Sequence, residues 1–319
     1  MNLSPSAVTW PVLVGWLALV PGLPLPGLAA AGLPVTIGCI GDFGSDRLST
    51  RQVARLIQEW HPHCVITLGD NNYPAGSALT IDRNIGQFYH EFIGGYRGRY
   101  GAGSLTNRFF PALGNHDWVA TNAQPYLDYF SLPGNERYYS FTAGTIEFFC
   151  LDSDSHEPHG TTPDSSQGVW LKEALAASTS VWRVVYFHHA PYSSGVFHGT
   201  HTAECERMKW PFQEWGADAV LAGHDHIYER VHTNGIVYIV NGLGGDSRDQ
   251  IHRPAVAGSV RRFSGDFGAL RIDANEVYLL FRFVTVHGQQ IDSLRLVPQR
   301  RAAAKRRVGG RSGQGPAAS

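Results

Sequence analysis

No charged side chain precedes Asp42 in this chain of 319 residues, and no acidic one occurs in residues 300–319. The first absence leaves Ala7–Val20 as an uncharged apolar stretch broken once by Pro11 and followed by Pro21-Gly22-Leu23-Pro24-Leu25-Pro26. Such a stretch is too short to cross a bilayer as a helix. It fits the apolar region of a secretory signal, and Ala29-Ala30-Ala31 offers the small-residue cleavage site. The expectation is a signal peptide over residues 1–31 and a secreted or periplasmic protein, with no stable membrane span. No Lys or Arg precedes the stretch, so an uncleaved anchor and a misassigned start stay open beside export. The second absence leaves Arg300, Arg301, Lys305, Arg306, Arg307 and Arg311 unopposed in a tail rich in Arg, Gly, Ala and Ser, which reads as disordered over residues 299–319. Without that tail the chain has 20 basic and 27 acidic side chains. A dedicated nucleic-acid binder would show a basic body, so no nucleic acid is required as a partner.

Cysteine is also scarce. Cys39, Cys64, Cys150 and Cys205 lack the close spacing of a zinc knuckle or a redox pair, and read as buried free thiols. There is no internal repeat. Apolar residues at 43% against 17% charged leave material for one large core. From Leu33 the pattern alternates: strand Val35–Ile40, helix Thr50–Trp60, strand Val65–Leu68, helix Ile81–Phe92 and strand Phe109–Leu113. This is the texture of a layered α/β fold. After Tyr138 it becomes strand-rich, with a hairpin at Tyr138–Phe141 and Ile146–Leu151, a helix at Val169–Ala177, and strands at Val181–Phe187 and Ala219–Ala222. Val237–Asn241, Gly268–Ile272, Val277–Val284 and Ile291–Leu296 form a late β-run typical of a second sheet.

Polar, metal-competent residues follow five of the strands: Gly41-Asp42-Phe43-Gly44, Gly69-Asp70-Asn71-Asn72-Tyr73, Gly114-Asn115-His116-Asp117, His188-His189-Ala190-Pro191 and Gly223-His224-Asp225-His226. Strand carboxyl ends are where layered α/β proteins bind ligands. Singly, each cluster is a cap or a turn. In series they supply carboxylates, an amide oxygen, imidazoles and a phenol, a donor set for two hard-to-borderline cations. Glycine before an Asp or His is expected to let the backbone turn sharply. Asp46, Asp152 and Asp154 read as solvated turns.

These blocks resemble the calcineurin-like metallophosphoesterase superfamily, and within it the small, tartrate-resistant type of purple acid phosphatase. The wider superfamily places a His ligand where this chain has Gly44, and the purple type keeps a metal-binding tyrosinate where it has Tyr73. The resemblance implies a four-layer αββα sandwich of two mixed sheets over residues 32–298. It implies one ion on Asp42, Asp70, Tyr73 and His226, and a second on Asp70, Asn115, His189 and His224, with Asp70 bridging. Of the adjacent His188 and His189, the family's His-x-Pro spacing selects His189 and leaves His188 without a role. His116 and His198 take outer-sphere roles, contacting phosphate or protonating the leaving group, and His201 is given none. The implied cofactors are Fe³⁺ at the Tyr73 site and Fe²⁺, Zn²⁺ or Mn²⁺ at the second. The implied activity is an acid phosphatase hydrolysing small phosphate monoesters by attack of a metal-bound hydroxide. A phosphodiesterase or nucleotidase on the same scaffold is the alternative. A non-catalytic phosphate- or metal-binding protein is a more remote one, because every ligand position is filled. Oligomeric state is not legible.

Overall fold

The structure is a computed structural model that describes residues 32–199 and 202–298. The expected signal (residues 1–31) and basic tail (299–319) lie outside the described residues, as does His201. Among the described residues thirteen strands form two sheets. The first carries β1 (Val35–Ile40), β2 (Cys64–Thr67) and β3 (Phe109–Pro111). The second is built from β4 (Tyr139–Ala143), β5 (Ile146–Cys150), β6 (Trp182–His189), β7 (Ala219–Gly223), β8 (Tyr228–Thr233), β9 (Ile236–Asn241) and β10 (Ser259–Phe263). The chain then returns to the first sheet as β11 (Gly268–Ala274), β12 (Leu279–Thr285) and β13 (Gln290–Leu296), giving the order β13-β12-β11-β1-β2-β3. The late β-run is therefore divided. Only β9 joins the second sheet, whereas β11 pairs antiparallel with β1, Ile272 opposite Ile37. Its alternation explains the choice, since Leu270, Ile272 and Ala274 all enter the apolar layer between the sheets.

The period-two alternation sorts side chains into four layers. Ile37 and Cys39 of β1 face Phe148 and Cys150 of β5 across the central core. Ile40 and Val65 turn outward onto Val53, Ala54 and Ile57 of the helix Leu48–Glu59. On the far side Phe149 and Val185 pack on Leu171 and Leu175 of the helix Ser166–Ala177, whose start is capped by the Ser165 hydroxyl accepting from the Gly168 N–H. This is the expected αββα sandwich. The segment read as one helix at Ile81–Phe92 is a π-turn (Asp82–Gly86), a helical turn (Gln87–Tyr89) and a 3₁₀ turn (His90–Phe92) in succession. All four cysteines are buried free thiols. In the first sheet β1, β2 and β3 run parallel, as do β5, β6, β7 and β9 in the second. Their carboxyl ends carry the polar clusters.

Candidate metal centre

Three residues of the clusters adopt left-handed backbone: Asp42 (φ 56°), Asp70 (φ 53°) and His224 (φ 71°). Of the glycines before an expected ligand only Gly69 (φ 90°) takes the turn, and Asp70 shares it. At Asp42 and His224 the prospective ligands alone bear the strain. The glycines supply room instead: a Cβ on Gly223 would lie 2.5 Å from Asp42 Oδ2, and one on Gly114 would lie 2.3 Å from Asp70 Oδ1. The left-handed turn at His224 aims its backbone N–H at the Asp42 carboxylate, 3.0 Å from Oδ2. Backbone strain held in place by surrounding packing is characteristic of functional sites.

Two groups of donor atoms converge on Asp70. In the first, the Tyr73 hydroxyl lies 2.9 Å from Asp70 Oδ2, 3.4 Å from Asp42 Oδ1 and 3.2 Å from His226 Nε2. In the second, His188 Nε2 lies 2.9 Å from Asn115 Oδ1, 3.0 Å from His224 Nδ1 and 3.5 Å from Asp70 Oδ2. The His188 Nδ1 atom faces the Leu68 carbonyl at 2.8 Å, so it carries the ring proton and Nε2 is turned to the cluster. That nitrogen meets an amide oxygen, a carboxylate and a second imidazole with no donor among them other than a ring N–H. Such a crowd of buried lone pairs is what a cation relieves. The ring nitrogens of His188, His189 and His224 lie within 4.8 Å of one another, as do single donor atoms of Asp42, Asp70 and His188.

The electrostatics divide the rings: burial opposes charge on His188, but Asp70 and Asp42 outweigh it and raise that imidazole. Burial opposes charge on His226, but the Asp42 carboxylate at 3.4 Å prevails and pushes it up to about 9. Asp42 is held below the ordinary carboxylate range, burial being outweighed by His226, His188 and the His224 N–H. His189 and His224 are driven well below the usual imidazole value, first by burial and then by neighbouring rings, so both are neutral with a lone pair to give. Burial and the Asp70 and Asp42 charges raise the Tyr73 phenol, which ionises only against a cation.

Residues 35–228 match the family described as calcineurin-like phosphoesterase. The chain belongs to that family. It is 30% identical to purple acid phosphatase 15 of Arabidopsis thaliana over 70% of this chain and 47% of that protein, so it spans about half the length of that relative. It is 23% identical to tartrate-resistant acid phosphatase type 5 of Oryctolagus cuniculus, over 86% of this chain and 94% of that one. In fold it is similar to a purple acid phosphatase from yellow lupin (Lupinus luteus) seeds, with a TM-score of 0.66, 19% identity, and coverage of 83% of this chain and 54% of the other. The matched family is one of phosphoesterases. Its members bind two metal ions, for which this chain supplies candidate His and Asp groups. No helix among the described residues is long and apolar enough to cross a membrane.

Both adjacent histidines join the cluster, His188 as well as the expected His189. His188 meets Asn115 and Asp70, whereas His189 turns its Nδ1 to the Ser153 hydroxyl at 2.9 Å and stands beside His224. His116 donates its backbone N–H to Asp70 Oδ1 at 2.9 Å and sets its ring Nδ1 2.6 Å from the Pro74 carbonyl. The His198 ring lies 3.9 Å from that of His224. Asp46 is exposed, as expected for a solvated turn, but Asp152 and Asp154 are buried. Asp152 accepts from the Trp118 indole at 3.1 Å, and burial drives its carboxyl far above the ordinary range.

Several orienting residues had no assigned part. Asp117 accepts from the backbone N–H of Gly114 at 2.9 Å and from the Asn71 side-chain amide at 2.8 Å, stitching the Asn115 and Asp70 loops together. An acidic residue at the third position of the short helix Asn115–Trp118, accepting from the backbone N–H just before the helix, is the local signal that could have found it. Ser247 sits 2.5 Å from His226 Nδ1 and leaves Nε2 for the cluster. Such partners fix tautomer and ring orientation in metal sites.

Proposed function

We propose that the protein is an exported, dinuclear-metal acid phosphatase acting on small phosphate monoesters. One observation carries the reading: two oxygen- and nitrogen-donor groups share a single carboxylate, Asp70, set 2.9 Å from the Tyr73 hydroxyl and 3.5 Å from His188 Nε2. The first ion would be held by Asp42, Asp70, Tyr73 and His226. The second would be held by Asp70, Asn115, His188 and His224, with His188 taking the position first expected of His189. A phenol beside two carboxylates suits a hard trivalent ion, Fe³⁺, and the amide and imidazole set suits Fe²⁺, Zn²⁺ or Mn²⁺. When bound, such a pair polarises phosphoryl oxygens and supplies a nucleophile at mildly acid pH.

The chain's own groups do the rest. Pro74 fixes the His116 tautomer, so Nε2 is the atom free to exchange a proton. Its side chain is 38% exposed beside Asp70, open to an incoming phosphate. His198 stands on the other flank against His224. One of the two donates a proton to the departing alcohol oxygen while the other binds phosphate. Metal analysis with a visible spectrum tests the cofactors: the expected result is two ions, one of them iron, and a visible band. Rates on paired chromogenic esters test the substrate, and faster cleavage of the diester would overturn the monoester reading. Amino-terminal sequencing of the mature protein should start near Gly32, and an intact Met1 on a cytoplasmic pool would refute export.

A further inference from the structure

We propose that a cavity of about 500 Å³ lined by His198 receives the leaving group of the substrate, and that Arg253 on its wall and Arg261 in the adjoining cavity select a leaving group bearing a second phosphate. The inference rests on the monoesterase reading and concerns the substrate class of that same site. The cavity lies between the loops 193–199 and 252–256, with Val196, Pro254, Ala255 and Val256 as its apolar wall and His198 among its polar lining. The volume suits a small organic group.

The walls are built. The Val196 N–H donates to the Gln250 carbonyl at 3.1 Å and the His252 N–H to the Ser194 carbonyl at 2.8 Å, which ties one loop to the other. The fully buried Glu229 carboxylate accepts from the Ser194 N–H at 2.6 Å, the Ser194 hydroxyl at 2.7 Å and the Ser259 hydroxyl at 2.6 Å. That buried carboxylate fixes the first loop to β8 and β10.

A second cavity of about 360 Å³ shares Arg253 with the first and adds Arg261 and Arg262 of the edge strand β10. Arg262 is engaged, donating to the His252 carbonyl at 2.8 Å and bracing the loop. Arg253 and Arg261 are exposed, and neither forms an ion pair with a carboxylate among the described residues. Most other arginines of the body are paired, as with Arg137 on Glu157 and Arg230 on Asp292. Two guanidiniums without a carboxylate partner among the described residues, one on the wall that His198 shares and one in the adjoining cavity, offer forked donors matched to a second phosphate.

Fructose 6-phosphate and fructose 1,6-bisphosphate differ by one phosphate and make the test, with phenyl phosphate as a substrate whose leaving group carries no phosphate. In the metal-loaded enzyme the bisphosphate should be favoured roughly 10-fold in kcat/KM, the worth of one charge-assisted contact, and mainly through KM. The Arg253→Ala/Arg261→Ala double variant should lose that preference and keep its rate on phenyl phosphate. Calorimetric binding of the two sugars should change in parallel. Equal kcat/KM on both sugars, with phenyl phosphate still cleaved, would overturn the subsite and leave the monoesterase standing. If phenyl phosphate is not cleaved, the monoesterase reading falls and the binding arm decides. Tighter bisphosphate binding that the double variant loses upholds the arginine pair, and equal binding of the two sugars overturns it.

Discussion

Gly44 stands where the wider superfamily keeps a histidine, and the structure gives a steric reason why this chain cannot. A Cβ built on Gly44 would fall 2.0 Å from the Asn71 carbonyl carbon and 2.3 Å from the Asn72 nitrogen. Both are backbone atoms, so no rotamer change relieves the clash. Restoring an ordinary 3.4 Å contact requires the Asn71–Asn72 backbone to retreat by about 1.4 Å, or Gly44 to do so. The same loop is held to Gly44 by the Tyr73 N–H on the Gly44 carbonyl at 2.7 Å and the Gly44 N–H on the Asp70 carbonyl at 3.2 Å. Any retreat therefore carries Asp70 and Tyr73 with it. Gly44→Ala should cost roughly 1–3 kcal/mol of stability through overpacking. Displacing site groups by about 1 Å should also cost ~10²-fold in rate. Denaturant midpoints, metal content and phosphatase rate on the same preparation check this. Gly288→Ala is the control, because its φ of 77° strains an alanine while nothing lies within 4 Å of the new Cβ. That variant should lose stability and keep full activity. A Gly44→Ala protein with wild-type midpoint, two ions and full rate would refute the steric argument.

Four further outcomes are expected. Tyr73→Phe removes the oxygen placed 2.9 Å from Asp70, so the visible band should vanish and iron retention weaken while the far-UV spectrum is unchanged; a Phe variant that keeps the band refutes the assignment. His188→Ala should release the second ion, whereas His189→Ala should keep it and lose rate, and metal analysis of the pair distinguishes them. His116→Ala and His198→Ala should keep both ions and lose rate by roughly 10²–10⁴-fold, less so for esters of acidic phenols, as read from kcat across a series of leaving groups. Asp292 accepts from Arg230 at 2.6 Å and Tyr228 at 2.8 Å, and these outweigh burial to hold its carboxyl below the ordinary range. Its contribution is fully present above the unfolded carboxylate value of about 3.9 and is lost as pH falls through the lower folded value. The stability deficit of Asp292→Asn should therefore be largest at neutral pH and shrink on acidification, as read from denaturant midpoints.

Most of the layered architecture and the clustering of Asp42, Asp70, Tyr73, Asn115, His224 and His226 could be read from the chain, because short apolar strands and the polar blocks after them are local signals. The choice between His188 and His189 could not. Neighbours on a strand face opposite ways, and the pairing of β6 with β7 slips between Tyr186 and His189. Which imidazole meets Asn115 and Asp70 depends on that irregularity, which residue spacing does not encode. The strands β8 and β10 were missed because Glu229, Arg230, Arg261 and Arg262 interrupt any apolar alternation. Asp152 and Asp154 look like loop carboxylates until Trp118 and Gln167, from distant segments, close over the first of them. The parting of the late strands between sheets is likewise a long-range matter, settled by pairing and not by composition.

That parting bears on how the chain assembles. β1 lies inside its sheet, with β2 on one side, and its other neighbour, β11, comes only after the whole second sheet, so Val35 waits for Ala274. Until then β1 presents an open row of backbone donors and acceptors, an edge prone to wrong pairing. The meander β11–β12–β13 is local and can form early, leaving its docking onto β1 as the slow, non-local event. A nascent chain stopped short of Gly268 would hold every proposed metal ligand and still lack the strand that pairs with β1. Ribosome-stalled or truncated forms ending there should aggregate, and added β11–β13 peptide should compete for the exposed edge.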